Sequence, residues 1–85
     1  METDDICVRY ADEAVGIVLR LLEDDDGQTR TVLAEARPNA LRMLGELLIA
    51  VADGNSGDSF HISPFGPGNK HFDTKSKLGI YIHRV

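Results

Sequence analysis

The clearest pattern in the sequence is an apolar stripe with helical spacing that follows Pro38, a residue suited to the first position of a helix. Only Arg42 and Glu46, which are four residues apart and able to pair, and Asp53 look clearly solvent-facing. We therefore predict a helix that ends at Gly54 in a left-handed stop and has most of its circumference covered. The stripe consists of Leu41, Leu44, Leu48 and Val51, widened by Ala40, Met43 and Leu47.

The segment before this helix allows two predictions. From Asp12 to Asp25, polar positions recur at three- and four-residue spacing, which favours a helix. In the competing interpretation, residues 14 to 22 form a strand, and Asp26-Gly27 is a hairpin turn. Both interpretations place a strand at Thr29 to Ala36.

Three further runs have the composition of strands. Ile6 to Tyr10 is β-branched and aromatic, which predicts a strand that opens the sheet. Ser59 to Ser63 alternates, with His61 on the face opposite Phe60 and Ile62, and Leu78 to Val85 is predicted as the last strand. The glycines and prolines of residues 64 to 70 predict a long irregular loop.

These elements predict one α+β domain over residues 1 to 85, in two layers. One or two helices pack on a sheet of about four mostly antiparallel strands. The first choice of element order is βαβαββ, and the second is ββαββ.

Composition narrows the class of protein. With 85 residues, 42% of them apolar and 27% charged, the chain resembles an ordinary globular domain. The single cysteine, Cys7, cannot form an internal disulfide, and the acidic start lacks the features of a signal peptide. The longest apolar run covers only residues 47 to 52, too few to span a bilayer. We expect a cytoplasmic protein.

Charge is distributed unevenly along the chain. Residues 1 to 58 hold thirteen Asp and Glu against five Arg, whereas residues 59 to 85 hold Asp73 against three Lys and one Arg. A net charge of −5 repels nucleic acid and anionic lipid and attracts basic proteins. We expect no nucleic-acid or membrane partner. An acidic surface also serves solubility without any partner, so the charge alone does not require one.

The chain offers few groups for catalysis. His61, His71 and His83 are too widely spaced for a zinc motif, and the only cysteine is far from them. The proline within Gly66 to Lys70 argues against a phosphate-binding loop. We therefore predict no metal site, no cofactor and no enzymatic activity.

The irregular loop carries two aromatic residues, Phe65 and Phe72, among glycines and charges. Aromatic side chains on loops often anchor protein interfaces. The alternative is that both phenylalanines cap the core beneath the loop.

The sequence from residue 32 to the end resembles the small immunity proteins of bacterial polymorphic-toxin and contact-inhibition systems. The residues that carry the resemblance are Ser59-Phe60-His61-Ile62, His71-Phe72-Asp73 and the run from Ser76 to His83. In those proteins, a strand and an apolar helix are similarly followed by a short strand, an irregular loop and a terminal strand that ends in basic residues.

The resemblance implies a stoichiometric inhibitor that binds one cognate toxin inside the producing cell. Under this hypothesis Glu23, Asp24, Asp25 and Asp26, helped by Asp12, Glu13 and Asp58, steer association with a basic toxin, and Phe65 and Phe72 anchor the complex. Two alternatives remain. One is a self-associating structural or regulatory domain, such as a homodimer, that pairs through a sheet edge or a helix face. The other is a small metal-dependent enzyme that uses the three histidines.

Overall fold

The computed structural model describes residues 3 to 23 and 27 to 85, and in this part of the chain the fold is α+β, as predicted. The four strands form two separate antiparallel pairs, β1 with β2 and β3 with β4, so the prediction of one four-stranded sheet is wrong. The second predicted order, ββαββ, matches the elements from β1 onward, and a helix precedes them. The elements are α1 (Thr3–Arg9), β1 (Val18–Leu22), β2 (Thr31–Glu35), α2 (Pro38–Ala52), β3 (Ser59–Ile62), a 3₁₀ turn (Asn69–His71) and β4 (Ile80–His83).

The first element, α1, is a helix, so the strand predicted at Ile6 to Tyr10 is wrong. Asp4 and Asp5 lie in its first turn and Arg9 in its last, which is the charge order that the helix dipole favours. Ile6 is buried in the core, and Tyr10, four residues later, is half-buried beside α2. Packing against α2 therefore outweighs the strand propensity of this run.

The next two strands form a hairpin, as the competing interpretation predicted, but with shorter bounds: the strand predicted at residues 14 to 22 is Val18–Leu22, and the one predicted at Thr29 to Ala36 is Thr31–Glu35. The helix predicted from Asp12 to Asp25 is wrong over its described part. Gly16 has φ +81°, which breaks a helix, and Ile17 and Leu19 alternate into the core. The register runs from Val18 opposite Glu35 to Leu22 opposite Thr31. Gly27 has φ +67°, as the predicted turn requires, while Asp26 lies outside the described residues.

The long helix α2 begins at Pro38 as predicted, and it buries Ala40, Met43, Leu47 and Val51. The expected coverage of most of its circumference is wrong, because Leu41, Leu48 and Ile49 remain 49%, 46% and 62% exposed. The left-handed stop at Gly54 is also wrong. The helix ends at Ala52, its C-cap residue Asp53 has right-handed backbone angles, and the positive-φ glycine of the following turn is Gly57.

The strands β3 and β4 confirm the predictions at Ser59 to Ser63 and Leu78 to Val85, with shorter bounds. Phe60 pairs with Ile82 on the core-facing side, and His61 pairs with Tyr81 on the exposed side. Residues 64 to 70 form the predicted irregular loop, which ends in the 3₁₀ turn.

The segment 71–76, which we call the seam, connects the hairpin to the rest of the molecule. The Ile17 N–H donates to the His71 carbonyl at 2.9 Å, and the Asp73 N–H donates to the Ile17 carbonyl at 2.9 Å. Two residues along, the Leu19 N–H donates to the buried Ser76 Oγ at 3.0 Å. The seam therefore runs beside β1, parallel to it, and ties residues more than fifty positions apart.

The buried hydrophobic side chains of the described residues form one cluster between the two helices and the two hairpins. None of the described helices is long and apolar enough to cross a membrane. The cluster consists of Ile6, Ala14, Ile17, Leu19, Ala40, Met43, Leu47, Val51, Phe60 and Ile62.

Candidate functional site

The acidic residues expected to steer association lie in different parts of the chain. Glu23 is exposed directly after β1, and Asp24, Asp25 and Asp26 lie outside the described residues. Asp12 and Glu13 are exposed in the turn after α1, and Asp58 precedes β3. Among the described residues of this set, Asp58 alone belongs to the groove described below.

The two loop phenylalanines differ in exposure. Phe65 is 78% exposed, as an interface anchor requires, whereas Phe72 is half-buried and packs against the core. The core-capping alternative therefore holds for Phe72 and not for Phe65, whose interface role stays a prediction. Both side chains line a shallow groove of about 320 Å³, together with Lys70 and Asp73.

The histidines are not gathered at one place. The His71 ring is buried, and its Nδ1 lies 2.5 Å from the Ala14 carbonyl oxygen, which makes it part of the seam. His61 is exposed, with its ring centroid 5.7 Å from that of Tyr81, and His83 pairs with Ser59. Among the described residues, no group of three His, Cys, Asp or Glu side chains is placed to hold a metal ion.

An acidic groove of about 680 Å³ lies between α1, the C-terminal half of α2 and the turn before β3. Its described lining holds three carboxylates and no lysine or arginine, and apolar side chains from both helices complete it. The residues that line this acidic groove are Thr3, Ile6, Glu46, Ile49, Ala50, Val51, Asp53, Gly54, Asn55, Asp58 and Ser59.

Glu46 lies at the α1 side of the acidic groove and is held by two residues at the end of that helix. Its carboxylate accepts hydrogen bonds from the Tyr10 hydroxyl and the Arg9 guanidinium. These bonds lower the pKa of Glu46 and raise the pKa of Tyr10. Arg42, the predicted helical partner of Glu46, instead donates to the Asn39 side chain at 2.8 Å. Glu46 therefore stays ionised, with Arg9 offsetting part of its charge.

The other two carboxylates have less compensation. Asp58 Oδ2 accepts the Asn55 N–H at 2.8 Å, which fixes the turn without adding positive charge. Asp53 is exposed at the C-terminus of α2, where the helix dipole disfavours a negative charge. Asp53 therefore gains no stability from the helix dipole.

The acidic groove is suited to holding a cation. Carboxylates above an apolar surface bind the guanidinium or ammonium group of a side chain and pack against its methylene stem. The lining includes hydroxyls but neither a histidine nor a thiol among its described residues. Outside the acidic groove's lining, burial raises the pKa of the Cys7 thiol, which keeps it protonated and unreactive.

Sequence reasoning identified Glu46, Asp53 and Asp58 separately but missed that they converge. The convergence depends on α1, which was predicted as a strand. An acidic first turn at Asp4 and Asp5, followed by Arg9, was the signal for a helix.

Comparison with known proteins adds no relative: the chain matches no protein-family model, no curated protein and no solved structure.

Proposed function

We propose that this chain is a non-enzymatic protein-binding domain, an immunity-type inhibitor that neutralises a basic bacterial toxin in the cytoplasm. The observation that carries the proposal is the acidic groove, with three carboxylates, an apolar surface and no lysine or arginine in its described lining. The resemblance of residues 32 to 85 to small immunity proteins suggests that the partner is a toxin.

The acidic groove accounts for both affinity and selectivity in such a complex. An arginine or lysine of the toxin enters between Asp53 and Asp58, and its stem covers Ile49, which is 62% exposed. Removing water strengthens the Coulomb attraction of such a pair but also costs desolvation of both groups. Truncation of one partner in a desolvated charge pair typically costs about 2 to 5 kcal/mol of binding, much of it from the charge left unpaired. Phe65 supplies a second, apolar contact from the loop.

A pull-down from the native host tests the proposal. The tagged protein is compared with Asp53→Asn, which removes one charge of the acidic groove, and with Glu35→Gln, which removes an exposed charge on β2 as a matched control. We expect the wild type and E35Q to recover one basic protein in stoichiometric amount, and D53N to recover much less. The recovered protein should arrest growth when expressed alone and be harmless when co-expressed with the wild type.

Recovery of the tagged chain alone, or equal recovery by D53N, would contradict the proposal. The acidic segment at residues 23 to 26 has a separate role as a long-range attractor. Charge reversal there should slow association and flatten its dependence on salt, because rim charges act mainly on the encounter rate. Unchanged kinetics would remove that segment from the mechanism.

A further inference from the structure

The outward side of α2 carries an apolar face that its own chain leaves uncovered. Leu41, Leu48 and Ile49 are each about half exposed or more, and Gly45 and Ala52 continue the same side of the helix. Positions 41, 45, 48 and 52 follow the alternating four- and three-residue spacing of a helix–helix seam. We call these five residues the open face of α2.

Gly45 is the feature of the open face that the rest of the chain does not explain. A glycine in the middle of a helix weakens it relative to alanine. A Cβ atom built at Gly45 meets nothing within 4 Å, so packing inside this chain does not require a glycine there. The residues around Gly45 are exposed and the space above Gly45 is free, so the backbone of another chain can approach closely there.

We propose that a second copy of this chain covers the open face, with the two α2 helices packed antiparallel and crossing at Gly45. In this arrangement Leu41 of one copy lies near Ile49 of the other, because the two positions are equally far from the crossing point. The small Gly45 allows the helix axes to approach closely.

Charge complementarity favours a second copy as the partner and an antiparallel orientation of the two α2 helices. Arg42, Glu46 and Asp53 share one flank of the open face, and antiparallel helices related by a two-fold axis place equivalent flanks together. Arg42 of one copy then lies between Asp53 of the second copy and its Glu46, whose charge Arg9 already offsets in part. A parallel pair would bring Arg42 to the opposite flank, which has no carboxylate anywhere along α2, all of which is described.

The size of the open face predicts a weak dimer. A helix of 15 residues is about 22 Å long, and one helix face buries less than the ~800 Å² per partner of a standard interface. We expect a dissociation constant of roughly 10 to 100 µM. This inference does not rest on the proposed function, but the two surfaces overlap, because Glu46, Ile49 and Asp53 also line the acidic groove.

Sedimentation of the purified chain from about 5 µM to about 1 mM, a range that brackets the expected dissociation constant, tests the dimer. The wild-type mass should rise from one chain to two. Gly45→Glu places a carboxylate at the crossing point and should raise the dissociation constant at least tenfold. Ser56→Glu adds the same charge in an exposed turn and should leave it within about twofold, as expected for a surface change outside the interface.

Arg42→Glu tests the orientation, because it turns the attraction to Glu46 and Asp53 of the second copy into repulsion. We expect Arg42→Glu to raise the dissociation constant of the dimer tenfold or more. A one-chain mass at every concentration, or dimerisation of a folded G45E like that of the wild type, would overturn the dimer, and an unaffected R42E would overturn the antiparallel arrangement. G45E retains the acidic groove, so toxin binding by this variant separates failure of this proposal from failure of the proposed function.

Discussion

Replacement of Ser76 by alanine probes the seam. The Ser76 side chain is fully buried, its Oγ accepts the Leu19 N–H at 3.0 Å, and its hydroxyl proton points to the Leu78 carbonyl at 3.2 Å or that of Leu19 at 3.4 Å. Alanine fits the same space. The change therefore removes the acceptor without removing packing, and the buried Leu19 N–H is left without a partner.

The expected loss follows from that unpaired group. An unsatisfied buried donor costs about 1 to 3 kcal/mol, so we expect Ser76→Ala to lower the free energy of unfolding by about 2 kcal/mol. In a domain of this size, about 1 kcal/mol shifts the melting temperature by roughly 4 to 8 °C, which predicts a fall of about 8 to 16 °C.

Urea unfolding and calorimetry measure both quantities. Ser63→Ala is a matched control, because Ser63 Oγ also accepts a backbone N–H, that of Phe65 at 3.2 Å, but in an exposed loop where water replaces it. We expect a loss below about 0.5 kcal/mol for the control. If Ser76→Ala lowers the free energy of unfolding by no more than Ser63→Ala does, the buried hydrogen bond to the Leu19 N–H does not account for the contribution of Ser76 to stability.

Three further predictions concern single positions. Gly68→Ala combines a φ of +73° with a Cβ only 2.7 Å from Ile62 Cγ2, so we expect a loss of about 2 to 4 kcal/mol by urea unfolding; a loss below about 1 kcal/mol would contradict the clash. Because the pKa of Glu46 is lower in the folded chain, its contribution is present above pH 4.5 and is lost as pH falls through the folded pKa. Glu46→Gln should therefore flatten stability against pH below 4.5, and an unchanged slope would speak against this. Phe65→Ser, at a site 78% exposed, should leave the melting temperature within about 2 °C, and a larger drop would show that Phe65 supports the fold.

The elements that sequence reasoning predicted well are those whose local patterns agree with their packing. Pro38 and the apolar stripe define α2 whatever lies around it, and the alternation at Ser59 to Ile62 defines β3. How much of α2 is covered could not be predicted from the sequence, because the exposed Leu41 and Leu48 are the same residue type as the buried Leu47. The packing of α1 and of the β3–β4 hairpin against α2 helps to decide which of these leucines is buried.

The predictions of the N-terminal elements were wrong because helical and alternating spacings of apolar residues compete in this part of the sequence. Residues 14 to 22 contain apolar residues at helical and at alternating spacing, and Gly16 with its positive φ decides for the strand. At residues 6 to 10, β-branched composition suggested a strand, while burial of Ile6 against α2 and favourable terminal charges stabilise the helix. Propensity is overruled when a tertiary contact covers the same side chains.

The sequence predicted individual carboxylates of the acidic groove but not their convergence. The sequence indicated a basic partner and exposed carboxylates at Glu46, Asp53 and Asp58. Their convergence depends on the turn at Asn55 to Asp58, where the Asn55 N–H bonds the Asp58 side chain, and on α1, which contributes Thr3 and Ile6 to the lining. Neither contact has a local sequence signal.

The seam also has a consequence for the order in which the chain opens. Residues near positions 14 to 19 bond partners 57 positions later, so forming these contacts requires closure of a long loop, and breaking them separates the β1–β2 hairpin from the seam. The Leu19 amide should therefore exchange its proton with solvent only when the whole chain unfolds, as slowly as the amides in the middle of α2. An amide at the edge of a small hairpin would then report global stability. Exchange faster than that of α2 would show instead that the hairpin opens by itself.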